Sequence, residues 1–101
     1  GMGRLREVCG AVTAMFMLIG LKEGYISFDD DEAKQKHYAK VQELAKKFKD
    51  KFVSIICREL LNLDEKTSSP IPSKRTNEYY KTRPCEEFVQ FASEIMKKEL
   101  V

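Results

Sequence analysis

The sequence predicts an all-α protein, a small bundle of about three main helices completed by dimerisation. Three observations carry this. Apolar residues recur on a 3.6-residue beat across residues 41–60, and again across 88–100. Between Val8 and Leu21 there is no charge over fourteen positions, and Thr13 is the only ordinary polar side chain. A helix that is apolar on nearly every face has to be buried on nearly every face. Two amphipathic helices offer one apolar face each, so the first helix lacks cover within the chain. Either a further helix belongs before residue 1 or a second subunit supplies the cover, most simply a symmetric homodimer.

Composition bounds the rest. A chain of 101 residues is read as one domain, 1–101, large enough for a modest core. Hydrophobic content of 43% beside 34% charged residues is ordinary for a soluble globular protein. A net charge of +2 gives no electrostatic case for nucleic acid. The apolar stretch is shorter than the roughly 20 residues a bilayer span needs. Gly20-Leu21-Lys22 is a poor signal-peptide cleavage site. The expected setting is therefore cytoplasmic, with no membrane partner. Gly1 ahead of Met2 reads as an expression remnant and is left out of the fold.

The first helix is expected over 4–19, with Gly20 as its C′ residue. Gly10 inside it costs about 1 kcal/mol against alanine and marks a close approach by another backbone or a ligand. Gly24 turns the chain, and Tyr25–Phe28 is a short extended connector. Asp29-Asp30-Asp31-Glu32 opens a long helix over 31–62, because acidic residues there cap orphan N–H groups and complement the dipole. A calcium loop would need alternating acidic positions and a central glycine, and neither is present. Val41, Leu44, Ala45, Phe48, Phe52, Ile55, Ile56 and Leu60 keep the helical beat, which favours continuity over a kink near Asp50. Lysines at 40, 46, 47, 49 and 51 form a solvated face.

Periodicity is lost over 62–83, where Thr67-Ser68-Ser69-Pro70-Ile71-Pro72-Ser73 is a loop by composition. A loop this long in a small domain is usually functional or mobile. Lys74-Arg75 and Tyr79-Tyr80-Lys81 interleave cations with aromatics, and docking of the tyrosines on the core is the favoured reading. Pro84 suits a first helical turn, so the last helix is expected over 84–100, with Phe88, Val89, Phe91, Ala92, Ile95, Met96 and Leu100 as its buried stripe.

His37 is the only histidine. On a continuous helix it would stand roughly 30 Å from Cys57, at 1.5 Å per residue, so the two cannot share a metal and His37 is read as a surface residue. A single histidine also argues against hydrolytic catalysis, and no glycine-rich phosphate loop occurs. Chemistry therefore rests on Cys9, Cys57 and Cys85, odd in number and without a C-x-x-C pair. Cys85 falls in the first turn of the last helix, where N–H groups and the dipole favour thiolate, helped by Lys81 and Arg83 and opposed by Glu86 and Glu87. Three cysteines at three helix ends are able to converge on one site. The bland alternative is a non-enzymatic helical interaction or dimerisation module in which they are inert buried hydrophobes, far apart.

Glu7-Val8-Cys9-Gly10-Ala11, the apolar run to Gly20-Leu21, Ile56-Cys57-Arg58-Glu59-Leu60-Leu61, and Cys85 with Phe88-Val89 together resemble the C_GCAxxG_C_C family of redox-active proteins, which is also related to part of split-Soret cytochrome c. The resemblance covers nearly the whole chain. It departs at Ala14, where the pattern C-G-A-x-x-G ends in glycine. It implies cysteine-based redox or electron-transfer work, with an electron donor or acceptor as partner. Family members carry four characteristic cysteines; Cys9, Cys57 and Cys85 match three, and the fourth belongs to an N-terminal helical region that this chain lacks. The implied site is Cys9, Gly10, Cys57 and Cys85. Four thiolates are able to hold an iron–sulfur cluster, which would need the intact four-cysteine form. Cysteine pairs alone are able to cycle through a disulfide.

Overall fold

The computed structural model describes all 101 residues and is all-α, with five helices in chain order. They are α1 (Gly10–Glu23), α2 (Asp31–Phe52), α3 (Cys57–Leu60), α4 (Asn77–Thr82) and α5 (Cys85–Glu99). Three of them build the body: α1 packs on both α2 and α5, and α2 on α5. The core is one cluster, with Val12, Met15 and Ile19 from α1, Leu44 and Phe48 from α2, and Phe88, Ala92, Ile95 and Met96 from α5. Phe52 seals one end of it, with ring centroids 4.9 Å from Phe88 and 5.4 Å from Phe91 in edge-on contact.

The boundaries depart from expectation where tertiary contacts override local signals. The first helix runs over 10–23 instead of 4–19. Residues before it are irregular, with Met2, Arg4 and Arg6 at positive φ. A local turn, in which Leu5 and Arg6 donate to the Met2 and Gly1 carbonyls, is joined by bonds to distant segments around Cys57 and Ser68. Gly20 lies inside α1, not after it, where a Cβ would make only an ordinary contact with the His37 imidazole, at 4.0 Å. The helix stops at Gly24, where a Cβ would run into the Gly20 carbonyl oxygen. Gly10 is the first residue of α1, and a Cβ there would meet nothing within 4 Å, so no close approach explains it.

The long helix opens as its acidic start predicts: Asp30 is the N-cap and its carboxylate accepts the Ala33 N–H at 3.0 Å. It is not continuous to residue 62. It ends at Phe52, and Val53 follows at φ 76°, in the left-handed region. Ser54 then holds the chain open, its hydroxyl accepting the Ile56 N–H and donating to Glu59. The apolar beat runs on past this break because Ile55 and Leu60 still pack on the core from an extended segment and a short helix. Similarly, 62–83 is not all loop, since α4 forms with Thr76 as its N-cap.

Two apolar faces are less covered than expected. Only one stripe of α1 is buried, while Met17 is 71% exposed and Leu21 86% exposed. On α5, which begins after Pro84, Val89 and Leu100 stand open to solvent instead of in the core. Between α1 and α5 runs an apolar groove of about 400 Å³, with Ala14, Leu18, Val89 and Met96 among its walls. No helix is long and apolar enough to cross a membrane.

Candidate functional site: a cavity lined by three thiols

All three cysteines line one cavity of about 300 Å³, otherwise walled mainly by apolar residues including Leu60, Leu61 and Phe88. Gly10 lines it too. None of the three is in a disulfide.

Local structure explains how residues so far apart in sequence meet. Val8 and Ile56 form an isolated antiparallel bridge. The Cys9 N–H donates to the Ile55 carbonyl at 2.8 Å and the Cys57 N–H to the Glu7 carbonyl at 2.6 Å. In this register Val8 and Ile56 are the close pair without mutual hydrogen bonds. Side chains alternate along extended backbone, so Cys9 and Cys57, each one residue further on, leave the bridge on its other face as diagonal neighbours. Cys9 is the N-cap of α1, Cys57 the first residue of α3 and Cys85 the first residue of α5. The extended segment that ends the long helix early is thus what carries Cys57 to Cys9.

Their environments differ. Cys57 is buried, Cys9 half-buried and Cys85 exposed. Burial pushes the Cys57 thiol up, but hydrogen bonds from the Gly1 amino group and the Arg6 guanidinium outweigh it, leaving the thiol below its ordinary range. Cys85 goes the other way. Although exposed as a residue, its place at the cavity still desolvates the thiol and pushes it up. Cys9 and Cys57 push in the same direction, and Arg83 pulls against them without prevailing.

Arg6 is the residue that sequence reasoning missed. It is only 6% exposed, and no carboxylate lies within ion-pairing distance of it. Its Nε donates to Ser68 Oγ at 2.8 Å, and its Nη1 reaches Cys57 Sγ at 3.8 Å. A buried guanidinium without a counter-ion is costly. Cys57 is the group beside it that can supply a negative charge. Ser68 passes its own hydroxyl hydrogen to Glu65 and is itself buried. Arg4 ties the same loop, donating to the Ser69 carbonyl at 2.6 Å and to Ser73 Oγ at 3.2 Å. The segment 65–73 is therefore strapped to the N-terminal segment. Gly1, set aside as a remnant, lines the cavity.

Other expectations fall elsewhere. His37 is half-buried: its ring packs edge-on against Tyr25 at 6.2 Å, and its Nδ1 is buried without a partner. Tyr79 and Tyr80 do not dock on the core; the Tyr79 ring has the Arg75 guanidinium 4.4 Å from its centroid and that of Arg83 at 5.8 Å. No group of three or more His, Cys, Asp or Glu side chains stands where it would hold a metal ion. Cys9, Cys57 and Cys85 share a cavity without forming a ligand set. An iron–sulfur cluster, which takes four such ligands, does not fit these residues as they stand.

Fold and site together define an all-α protein built around a shared thiol cavity. Residues 1–99 match the family described as putative redox-active protein (C_GCAxxG_C_C), and the chain belongs to that family. No curated protein and no solved structure matches it.

Proposed function

We propose that this chain is a dithiol–disulfide redox protein in which Cys57 is the nucleophilic thiolate and Cys9 or Cys85 its partner. The carrying observation is Arg6, a buried guanidinium with no carboxylate partner, aimed at the sulfur of Cys57. A thiolate is both the stronger nucleophile and the better leaving group in exchange chemistry. Cys57 attacks one sulfur of an external disulfide, and the bond between the two substrate sulfurs breaks. One substrate half leaves as thiolate and takes up a proton. The neighbouring cysteine then loses its proton and attacks the Cys57 sulfur, expelling the second half. Two protein thiols are oxidised, and one disulfide is reduced to two thiols. In a reducing cytoplasm the pair rests as thiols, so it acts as an electron donor and is recharged by a dithiol reductant.

Single cysteine-to-serine variants test this. Cys57→Ser is expected to abolish disulfide exchange with a small disulfide. Either neighbour alone should leave a mixed disulfide that resolves more slowly. Equal rates in all three variants would contradict the reading.

The same reading includes a homodimer across the open face of α1, with Met17, Leu18 and Leu21 as its apolar contacts. Burying them in a symmetric interface removes the uncovered surface that the composition of α1 creates. Light scattering should give twice the 11.7 kDa chain mass, and Leu21→Glu should return it to the monomer. A wild-type monomer at all accessible concentrations would contradict it.

A further inference from the structure

The stretch leading into Cys85 carries more cation than the fold uses. Lys74, Arg75, Lys81 and Arg83 fall within ten residues, with Glu78 as the one carboxylate among them. None of the four has a carboxylate within ion-pairing distance. Of the other lysines, Lys40 and Lys47 both pair with Glu99, Lys46 pairs with Asp50, and Lys51 lies over the Phe91 ring.

The two arginines share one aromatic neighbour. Both lie against the Tyr79 ring of α4, at 4.4 and 5.8 Å. Arg83 is two residues from the exposed Cys85. The walls of the thiol cavity hold no carboxylate, and behind Cys57 stands the unpaired Arg6. Glu87, in the first turn of α5, faces a separate pocket beside Lys51. Glu86 is the carboxylate next to Cys85 that works against the cations. Positive charge therefore stands against the buried Cys57 sulfur and near the exposed Cys85, while the cavity that joins them is lined mainly by apolar residues.

We propose that the thiol cavity takes an anionic disulfide, one whose carboxylates are met by Arg83 and Arg75 while its sulfur enters among the three cysteines. This rests on the dithiol reading above and names the substrate class for it. The exchange is the one already written: the substrate disulfide is reduced to two thiols as two protein thiols are oxidised. The carboxylates belong to a small acidic disulfide or to acidic residues beside a protein disulfide, and the shared chemistry is negative charge close to the sulfur.

The test uses the reduced full chain and three small disulfides of similar size: dianionic dithiodipropionate, dicationic cystamine and neutral hydroxyethyl disulfide. Each rate is divided by that of a free neutral thiol, which removes intrinsic differences between the reagents. Fixed charges beside a site typically change encounter rates by tenfold or more. The dianion is therefore expected to exceed the dication by about tenfold at roughly 20 mM salt, and the preference should collapse towards one at about 0.5 M as screening sets in. The Arg75→Glu/Arg83→Glu variant should reverse the preference. If it does not fold, Arg75→Gln/Arg83→Gln should remove it. Normalised rates that are equal at low salt, or a preference that survives both salt and substitution, would overturn the proposal. Oxidation by all three reagents without charge preference defeats this inference alone. No disulfide with any of them defeats the dithiol reading as well. Comparing a disulfide-linked acidic peptide with the small dianion separates the two sources, and a preference for either over its neutral counterpart supports the proposal.

Discussion

Arg6 and Cys57 stand 51 positions apart in sequence, yet the Arg6 guanidinium lies 3.8 Å from the Cys57 sulfur and has no carboxylate to pair with. The contact depends on the short bridge between Val8 and Ile56, which brings the two segments side by side. Arg58 reinforces it, donating to the Arg6 carbonyl and to Glu7, both at 3.2 Å.

Removing the guanidinium should raise the Cys57 thiol. In a Cys9→Ser/Cys85→Ser background, thiolate absorbance near 240 nm is expected to titrate at higher pH in Arg6→Met than in the parent, with Arg6→Lys between them. Burial then acts with less opposition. An unchanged titration would mean that Arg6 has only a structural role.

The two shifted thiols act on stability with opposite sign. The Cys57 thiol is lowered in the folded state, so its contribution is present above the ordinary thiol value of about 8.5 and is lost as pH falls through the folded value. The Cys85 thiol is raised, so its contribution is present below that value and is lost as pH rises through the folded one. Urea midpoints measured from neutral to alkaline pH should lose their rising limb in Cys57→Ser and their falling limb in Cys85→Ser.

Glu99 gives an acid limb. Hydrogen bonds from Lys47, then Lys40, hold its carboxyl below the usual range, so stability should fall as pH drops through that lowered value. Glu99→Gln should flatten this limb. Both lysines are partly exposed, which screens the pairs, and the loss at neutral pH should be only about 0.5–1 kcal/mol. Equilibrium unfolding at two pH values decides it.

Val53 is a β-branched residue at φ 76° with its side chain in solvent. Such a backbone costs on the order of 1–3 kcal/mol, against a glycine entropy cost of about 0.5–1 kcal/mol. Val53→Gly should therefore raise the unfolding midpoint or leave it level, where valine to glycine on an exposed helix would lower it. By contrast, Phe48→Ala empties the centre of the aromatic cluster and should cost about 3–5 kcal/mol in urea unfolding.

The helical class and the identity of the core were legible because the beat of Leu44, Phe48, Phe88, Ala92 and Ile95 is a local property of the chain. The family was legible in Cys9-Gly10-Ala11 and Cys57-Arg58-Glu59-Leu60. The break at Val53 was not, because valine carries no turn signal and the residues after it are still apolar. The role of Arg6 was hidden for a different reason. Its partners, Cys57 and Ser68, lie 51 and 62 residues away, and a lone arginine before a cysteine has no periodicity to read. The residues before α1 allow a helix locally, whereas the bonds of Arg4 and Arg6 to Ser68 and Ser69 draw the chain away from one.

The most direct measurement is a redox titration of the full chain in thiol–disulfide buffers, followed by mass spectrometry of the alkylated and digested protein. The expected result is a two-electron transition to one internal disulfide that contains Cys57, joined to Cys9 or to Cys85, with the third cysteine alkylated. Three alkylated cysteines across the whole range of potentials, or disulfides formed only between chains, would contradict it.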